Sequence, residues 1–363
     1  MIRWFTCSCG AQKGAAGAIV RKKRIEAIDN VLNNTRENEV DFVLICGDVF
    51  EHNMVGSEDV NKVISSFNRF PDIPIILLPG NHDALGPGCV YNRDIFSHLT
   101  IFTIDKPFYI SGATLYPLPI HSFNRSEDPT NGLPNVKKVD GIHIGVGHGS
   151  LLGAFKSSDT VDFPIDPSCI ERTGIDYLAL GHWHSCRDYA DSDGVTRITY
   201  SGTHEQTQYD EDVAGYCLLV EIESKSKPPS ITKIKSGKLQ WESLNLELKD
   251  SASINELTKR LSSLKAIDIV QVNLHGELSI ELKEVIEKIL EYQQTLHTHF
   301  RIKDEELLYT VPPSLDTNLD LGDPTLTQTN RELCRLLEKT ENNEERAVII
   351  EALSLLNRIA MEE

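Results

Sequence analysis

A chain of 363 residues, 40% hydrophobic and 25% charged, has room for two or three domains and can bury a core without disulfide or metal staples. Its formal net charge of -18 argues against a protein that coats nucleic acid through its overall field, because phosphate binding draws on clustered Lys and Arg. No run approaches the roughly 20 apolar residues of a membrane span, and the N-terminus lacks the basic-then-apolar order of a secretion signal, so a cytoplasmic protein is expected.

The opening "MIRWFTCSCGAQKG" reads as a first strand ending in Cys7-Ser8-Cys9. Thiols at i, i+2 fit a metal-binding pair, a redox pair or two small apolar residues. The scatter of the eight cysteines, several inside strand-like runs, predicts free thiols in a reducing compartment. "RKKR" (Arg21 to Arg24) leads into the helix-like "IEAIDNVLNN" and is read as a solvated helix start rather than a phosphate-contacting patch. Four short runs rich in Ile, Val and Leu follow: "VDFVLICGDVF", "IPIILLPGNHD", "HIGVGHGS" and "IDYLALGHWHS". Each predicts a core strand of a sheet covered on both faces. Each also ends in Gly beside Asp, Asn or His, which gathers polar groups at the edge where α/β folds place their sites.

Beyond Pro228-Pro229 the segments "SITKIKSG" and "LQWESLNLEL" are expected to close this first domain. A second unit follows. Ile254, Leu257, Leu261 and Leu264 recur at helical spacing behind a Ser253/Glu256 capping signal, "IVQVNLHG" alternates as a strand, a helix capped by Ser279 follows, and "FRIKDEELLYTV" returns as a strand. The polar linker "LDTNLDLGDPTLTQTN" then leads to two short helices. The second is capped by Asn343 and carries an apolar stripe at Ile349, Leu353, Leu356 and Ile359. That stripe packs either on its own domain or on a partner's helices. The expected domains are 1–240, 245–313 and 325–363.

The chemistry lies in the strand-end clusters "GDVFE", "GNHD", "GH" and "GHWH". Any one of them is weak, because a lone strand-end His is usually a satisfied loop residue. Together, carboxylate, amide and imidazole donors describe an N/O site for Mn, Fe or Zn rather than a sulfur site. A carboxylate such as Asp48 can bridge two ions, which together clamp a phosphoryl group and activate the attacking water. His82, beside Asn81, is then free to protonate a leaving oxygen or to stabilise transition-state charge. Cys46 and Cys186 are read as packing residues. Glu51 and His52, one turn past Asp48, could touch substrate, and His121, Arg125 and His204 could contact phosphate.

GD, GNHD, GH and GHxH in this order resemble the calcineurin-like metallophosphoesterases over residues 1 to about 215. With "ITYSGTHEQT", the small α/β cap and the terminal helices, the chain looks most like the SbcD-type DNA repair exonucleases. The resemblance implies a layered α/β/β/α sandwich with a small α/β cap domain and a C-terminal helical tail. It implies that Asp48 bridges two divalent ions, most simply Mn, that Asn81, His148 and His182 complete one site, that His184 belongs to the other, and that His82 is catalytic. It further implies DNA as substrate, a helix pair docking on the coiled coil of an SbcC-like ATPase, and a homodimer.

The departure is at the N-terminus. Family members begin with Asp-x-His, whereas here no Asp precedes Asp29 and no His precedes His52. Three readings stay open. In one, Cys7 and Cys9, which share a strand face, act as thiolate ligands. In another, the first site is lost, one ion binds and catalysis is weak or absent. In the third, the N-terminus is altered or misread. The expected function is a metal-dependent phosphodiesterase acting on DNA, as exo- or endonuclease. The alternatives are a catalytically weak subunit that scaffolds an ATPase on DNA, and a small-molecule phosphodiesterase or phosphatase, against which the cap argues.

Overall fold

The computed structural model describes residues 15–97, 99–103, 105–120, 126–154, 162–225, 227–264, 269–279, 282–310, 317–340 and 342–362. Ser8, Cys7 and Cys9, with the strand expected there, lie outside the described residues, as do His121 and Arg125. The chain divides into two compact units, Met1–Trp241 and Glu242–Glu363, and the terminal helices fall within the second.

The first unit begins with helix α1 (Ala15–Glu37), which leads into strand β1 (Val43–Cys46), helix α2 (Ser57–Asn68), β2 (Ile75–Leu78) and β3 (Thr100–Ile101). These three strands form a parallel sheet in the order β1-β2-β3. β4 (Phe108–Ile110), β5 (Ala113–Pro117) and β6 (Ile142–His148) come next, then the two-residue parallel pair β7 (Ser150–Leu151) and β8 (Pro164–Ile165), and the short helix α3 (Cys169–Thr173). β9 (Tyr177–Gly181), β10 (Arg187–Ala190) and β11 (Thr196–Tyr200) complete a six-stranded sheet in the order β10-β11-β9-β6-β5-β4. Its inner strands are parallel and each edge strand is antiparallel. β12 (Tyr216–Glu221) and β13 (Ser230–Lys235) form an antiparallel pair.

The strand sequences are continuously apolar because successive residues enter two different cores. Val43, Ile45, Ile75 and Leu77 face α1 and α2, joining Ile28, Val31, Leu32, Val60, Val63, Ile64 and Phe67. Leu44, Cys46, Ile76 and Leu78 face the other way, against Leu115, Ile144, Val146, Tyr177 and Ala179 of the six-stranded sheet. The far face of that sheet presents Leu178, Leu180, Ile198 and Tyr200 to α3 and the connections around it. One consequence overturns an expectation. Arg24 lies on the face of α1 shared with Val20, Ala27, Ile28 and Val31 and is buried with them, so only part of the basic run is solvated.

The second unit contains β14 (Trp241–Leu248), α4 (Ser251–Ser262), β15 (Ile269–Ser279), α5 (Lys283–Leu296) and β16 (His299–Thr310). The sheet order is β14-β15-β16, with β15 and β16 parallel. "LQWESLNLEL" therefore supplies a strand to this sheet instead of closing the first domain. Leu244, Leu246 and Leu248 pack with Ile254, Leu257, Leu261, Val272, Ile286 and Leu290. The caps also differ from expectation. Asp250 accepts from the Ser253 N–H at 2.9 Å while Ser253 Oγ accepts from the Asp250 N–H at 3.1 Å, so Asp250 starts α4 and Ser253 is its third residue. Ser279 ends β15, and Leu282 takes the position before α5 that was expected of it.

Helices α6 (Pro324–Lys339) and α7 (Asn343–Glu362) close the chain. Asp323 caps α6, accepting from the Thr325 and Leu326 amides, so the end of the expected linker, Pro324 to Asn330, is helical. Asn342, one residue before the expected cap, accepts from the Glu345 amide at 3.4 Å at the start of α7. Ile349 and Leu353 pack with Cys334 and Leu337 of α6, and Leu356 is buried as well. Of the four stripe residues, only Ile359 stays exposed.

Leu115 is 0% exposed between the two sheets of the first unit, whereas Tyr109 on edge strand β4 is 72% exposed. Leu115→Ala is expected to lower stability by about 2–5 kcal/mol in urea titration, and Tyr109→Ala by no more than about 0.5 kcal/mol. Equal losses would contradict this core assignment.

Candidate metal centre

Four strand ends from the two sheets of the first unit meet at one place. β1 ends at Cys46 and the chain turns through Gly47 and Asp48 with φ of 86° and 53°. β2 leads to Gly80 and Asn81, β6 ends on His148, and β9 ends on Gly181, followed by His182 at φ 102°. Asp48 sits in the left-handed helical region, which Asp tolerates, whereas His182 lies beyond it, and such a backbone persists only where the surroundings over-determine it. The close approach needs small residues. A Cβ on Gly80 would run into Asp48 Oδ1, and one on Gly181 would run into the carbonyl oxygen of Cys46.

The ligand atoms of Asp48, His148 and His182 lie within 4.8 Å of one another, the one such cluster among the described residues. His148 is fully buried, and its Nδ1 lies 2.8 Å from the Cys46 carbonyl oxygen, which can only accept. Nδ1 therefore carries a proton, and in the neutral ring Nε2 holds a lone pair. That lone pair faces Asn81 Oδ1 at 2.7 Å and Asp48 Oδ2 at 3.1 Å, while His182 Nδ1 approaches Asn81 Oδ1 at 3.2 Å. Three acceptors turned on one point are satisfied together by a divalent cation. The set of one carboxylate, one amide oxygen and two imidazoles suits Mn, Fe or Zn.

The surroundings hold this set in place. The His82 amide donates to Asp48 Oδ1 at 2.9 Å, leaving Oδ2 toward the cluster. Asp83, fully buried, accepts from the Gly80 amide at 2.7 Å, from the Phe50 amide at 3.1 Å and from the Tyr91 hydroxyl. It thereby ties the loop after β2 to the loop after β1. Burial, reinforced by the nearby Asp48 charge, pushes the Asp83 carboxyl above its ordinary range, and burial with the Asp83 charge pushes the Tyr91 hydroxyl well up.

His82 is at the rim, its side chain 39% exposed, with Nδ1 3.1 Å from the Glu51 carbonyl oxygen. Glu51 thus backs His82, and burial raises its own carboxyl. His184 lies outside the three-residue cluster, and its Nδ1 is 2.5 Å from Glu211 Oε1. Burial alone would raise the Glu211 carboxyl, but the hydrogen bonds from His184 and Thr207 outweigh it and hold it below the usual carboxylate range.

The structure therefore brings Asp48, Asn81, His148 and His182 together, with His82 and His184 on nearby loops. His204 is not available to phosphate: it is buried, with Nε2 3.1 Å from the Arg24 carbonyl oxygen. Cys46 and Cys186 are buried, and all six cysteines among the described residues are free. Sequence reasoning missed Glu211 and the Cys46 carbonyl. Glu211 sits in an irregular loop 27 positions from His184, where no periodic signal marks it.

Residues 20–186 match the family model described as calcineurin-like phosphoesterase. The chain is also similar to the DNA double-strand break repair protein Mre11 of Thermoplasma acidophilum, 22% identical over 314 residues that cover 77% of this chain and 76% of that protein.

Asn81→Ala removes the oxygen shared by His148 and His182 and little buried apolar surface. Calorimetric titration with Mn²⁺ is expected to show binding weakened by more than about tenfold with the thermal midpoint of the metal-free protein nearly unchanged. Undiminished affinity would remove Asn81 from the donor set.

Proposed function

We propose, on the premise that residues 20–186 form a calcineurin-like phosphoesterase domain and that the chain is a metal-dependent phosphoesterase, that it hydrolyses phosphodiester bonds in DNA as an SbcD-type nuclease subunit. The observation that carries this reading is the convergence of Asp48 Oδ2, Asn81 Oδ1, His148 Nε2 and the His182 ring at the joined ends of two sheets. The similarity to a DNA repair protein along most of the chain supports the choice of substrate class.

A divalent cation at this site, Mn²⁺ in our reading, supplies charge to the phosphoryl oxygens and acidity to a water. The chain's own residues do the rest. Asp48, Asn81, His148 and His182 would hold the cation, and the Cys46 carbonyl keeps the His148 proton on the far nitrogen. His82, with Nδ1 anchored on Glu51, would meet substrate through Nε2, giving a proton to the leaving oxygen or stabilising charge on the phosphoryl group. His184, with Asp48, would serve a second cation.

The remaining ligands of that second cation would come from Cys7 and Cys9, or would be missing. The lack of any Asp before Asp29 or His before His52 favours, as a second reading, a weakly catalytic subunit with one ion. The ion count separates the two: two Mn²⁺ or Zn²⁺ per chain, falling to one in Cys7→Ala/Cys9→Ala, supports the thiolate ligands, and one in both proteins supports the second reading.

The outer surface of the α6–α7 pair exposes Leu336, Val348, Ile350, Leu355 and Ile359. Of these, Val348, Leu355 and Ile359 share one side of α7 and would supply an apolar face for the coiled coil of an SbcC-like ATPase. No helix among the described residues is long and apolar enough to cross a membrane, and a cytoplasmic location belongs to the same reading.

Two outcomes are expected. His82→Ala should lower Mn²⁺-dependent cleavage of duplex DNA by about 10²–10⁴-fold while calorimetry shows metal binding intact; undiminished cleavage would exclude His82 from the chemistry. Val348→Glu/Leu355→Glu, both on exposed positions, should abolish co-purification with a co-expressed coiled-coil ATPase and leave the thermal midpoint unchanged. Retained co-purification would place the docking surface elsewhere.

A further inference from the structure

We infer that Met54 is a specificity-determining residue: it packs against the base or sugar of a nucleotide near the cleaved bond, so that the site prefers a nucleic-acid chain to a small phosphodiester. The inference rests on the proposed reading of the centre as a phosphodiesterase site and names a contact to the part of the substrate beyond the phosphate.

Met54 is 87% exposed, more than any other large hydrophobic side chain among the described residues. A single exposed apolar side chain is ordinary. What sets this one apart is a braced main chain and a short distance to the rim of the centre. The Phe50 amide donates to Asp83 at 3.1 Å, and the Glu51 carbonyl oxygen lies 3.1 Å from His82 Nδ1. Asn53 donates through Nδ2 to the Ala84 carbonyl at 2.9 Å and accepts at Oδ1 from the Val90 amide at 3.0 Å. Arg93 donates to the carbonyl oxygens of Asn53 and Val55 at 3.4 and 2.9 Å, and Val55 is buried. Residues on both sides of Met54 are thus fastened to the segment 82–93, while its own side chain stays in solvent.

The distance to the reacting phosphate is bounded by the chain itself. Met54 follows Glu51 by three residues, so their Cα atoms are at most about 11 Å apart. The Glu51 carbonyl in turn touches the His82 ring. Bases along a duplex strand rise by about 3.4 Å each, so a strand whose phosphate reached His82 would have nucleotides within about three positions to offer Met54. A small diester has none. Methionine is unbranched and polarisable, adapts to irregular apolar surface and makes favourable contacts with aromatic rings, and it is among the side chains used as wedges against bases. Every base has a π-face, so the contact would favour a nucleic acid without reading its sequence. At a net charge of -18, an uncharged contact also gives affinity that the overall field does not.

The test uses the full chain with Mn²⁺ and compares kcat/KM for a duplex oligonucleotide with that for methyl para-nitrophenyl phosphate, a diester with no base or sugar. The wild type is expected to prefer the oligonucleotide. Met54→Ala is expected to lower that preference by about 5–20-fold, mainly through KM, and by the same factor at low and high salt, because an apolar contact releases no counterions. Met54→Leu is expected to keep most of the preference, and both variants to keep the wild-type thermal midpoint. An unchanged preference in Met54→Ala overturns the inference. So does a loss that Met54→Leu fails to restore, or one that vanishes at high salt. A wild type that hydrolyses neither diester overturns the phosphodiesterase reading, and the inference with it.

Discussion

The hydrogen bond between His148 Nδ1 and the main-chain oxygen of Cys46 joins the two sheets of the first unit at the point where the candidate metal centre stands. Cys46 ends a strand of one sheet and His148 ends a strand of the other. The same oxygen lies so close to Gly181 that no side chain fits there. One carbonyl therefore sets the distance between β1, β6 and β9 and also decides which nitrogen of His148 is free. Packing and chemistry share this contact. A shift of the sheets by one side chain's width would separate Asp48 from His148 and disperse the donor cluster.

Drawing these ends together concentrates negative charge. Asp48 and Asp83 are both buried, and burial together with the Asp48 charge raises the cost of ionising Asp83. Three amides and one phenol answer part of that cost: the His82 amide on Asp48, and the Gly80 and Phe50 amides with the Tyr91 hydroxyl on Asp83. The two carboxylates then take different tasks. Asp83 is enclosed by donors and fastens loops, whereas Asp48 keeps one oxygen turned to the His148 and His182 imidazoles. A cation at the proposed site would bring these groups under one positive charge, so metal binding and stability at these strand ends are expected to be coupled.

Much of this was legible in the sequence because burial on both faces makes strands read as unbroken apolar runs, and because site residues follow such runs directly. Asp48, Asn81, His148 and His182 were readable for that reason. The supporting groups were not. A main-chain carbonyl is present at every residue, so nothing marks that of Cys46, and Glu211 reaches His184 from a loop without periodicity. Arg24 was misread by weighing charge above spacing, although it shares a helical face with Val20, Ile28 and Val31. Helix starts slipped by one to a few residues where two capping side chains stood near each other, as with Asp250 and Ser253, or Asn342 and Asn343.

The overall charge bears on substrate in a way that the site geometry alone does not. A polyanion approaching a chain of net charge -18 meets long-range repulsion, which salt screens beyond about 8–10 Å. The basic run of α1 offers little relief, since one of its four residues is buried and Lys22 and Lys23 pair with Glu26. For a phosphodiester substrate, a cation at the proposed site of Asp48, Asn81 and the imidazoles, with His82 at the rim, would supply attraction within the last few ångströms. Binding that drew chiefly on that centre would respond steeply to metal and weakly to bulk salt, the reverse of a protein that grips DNA through a basic surface.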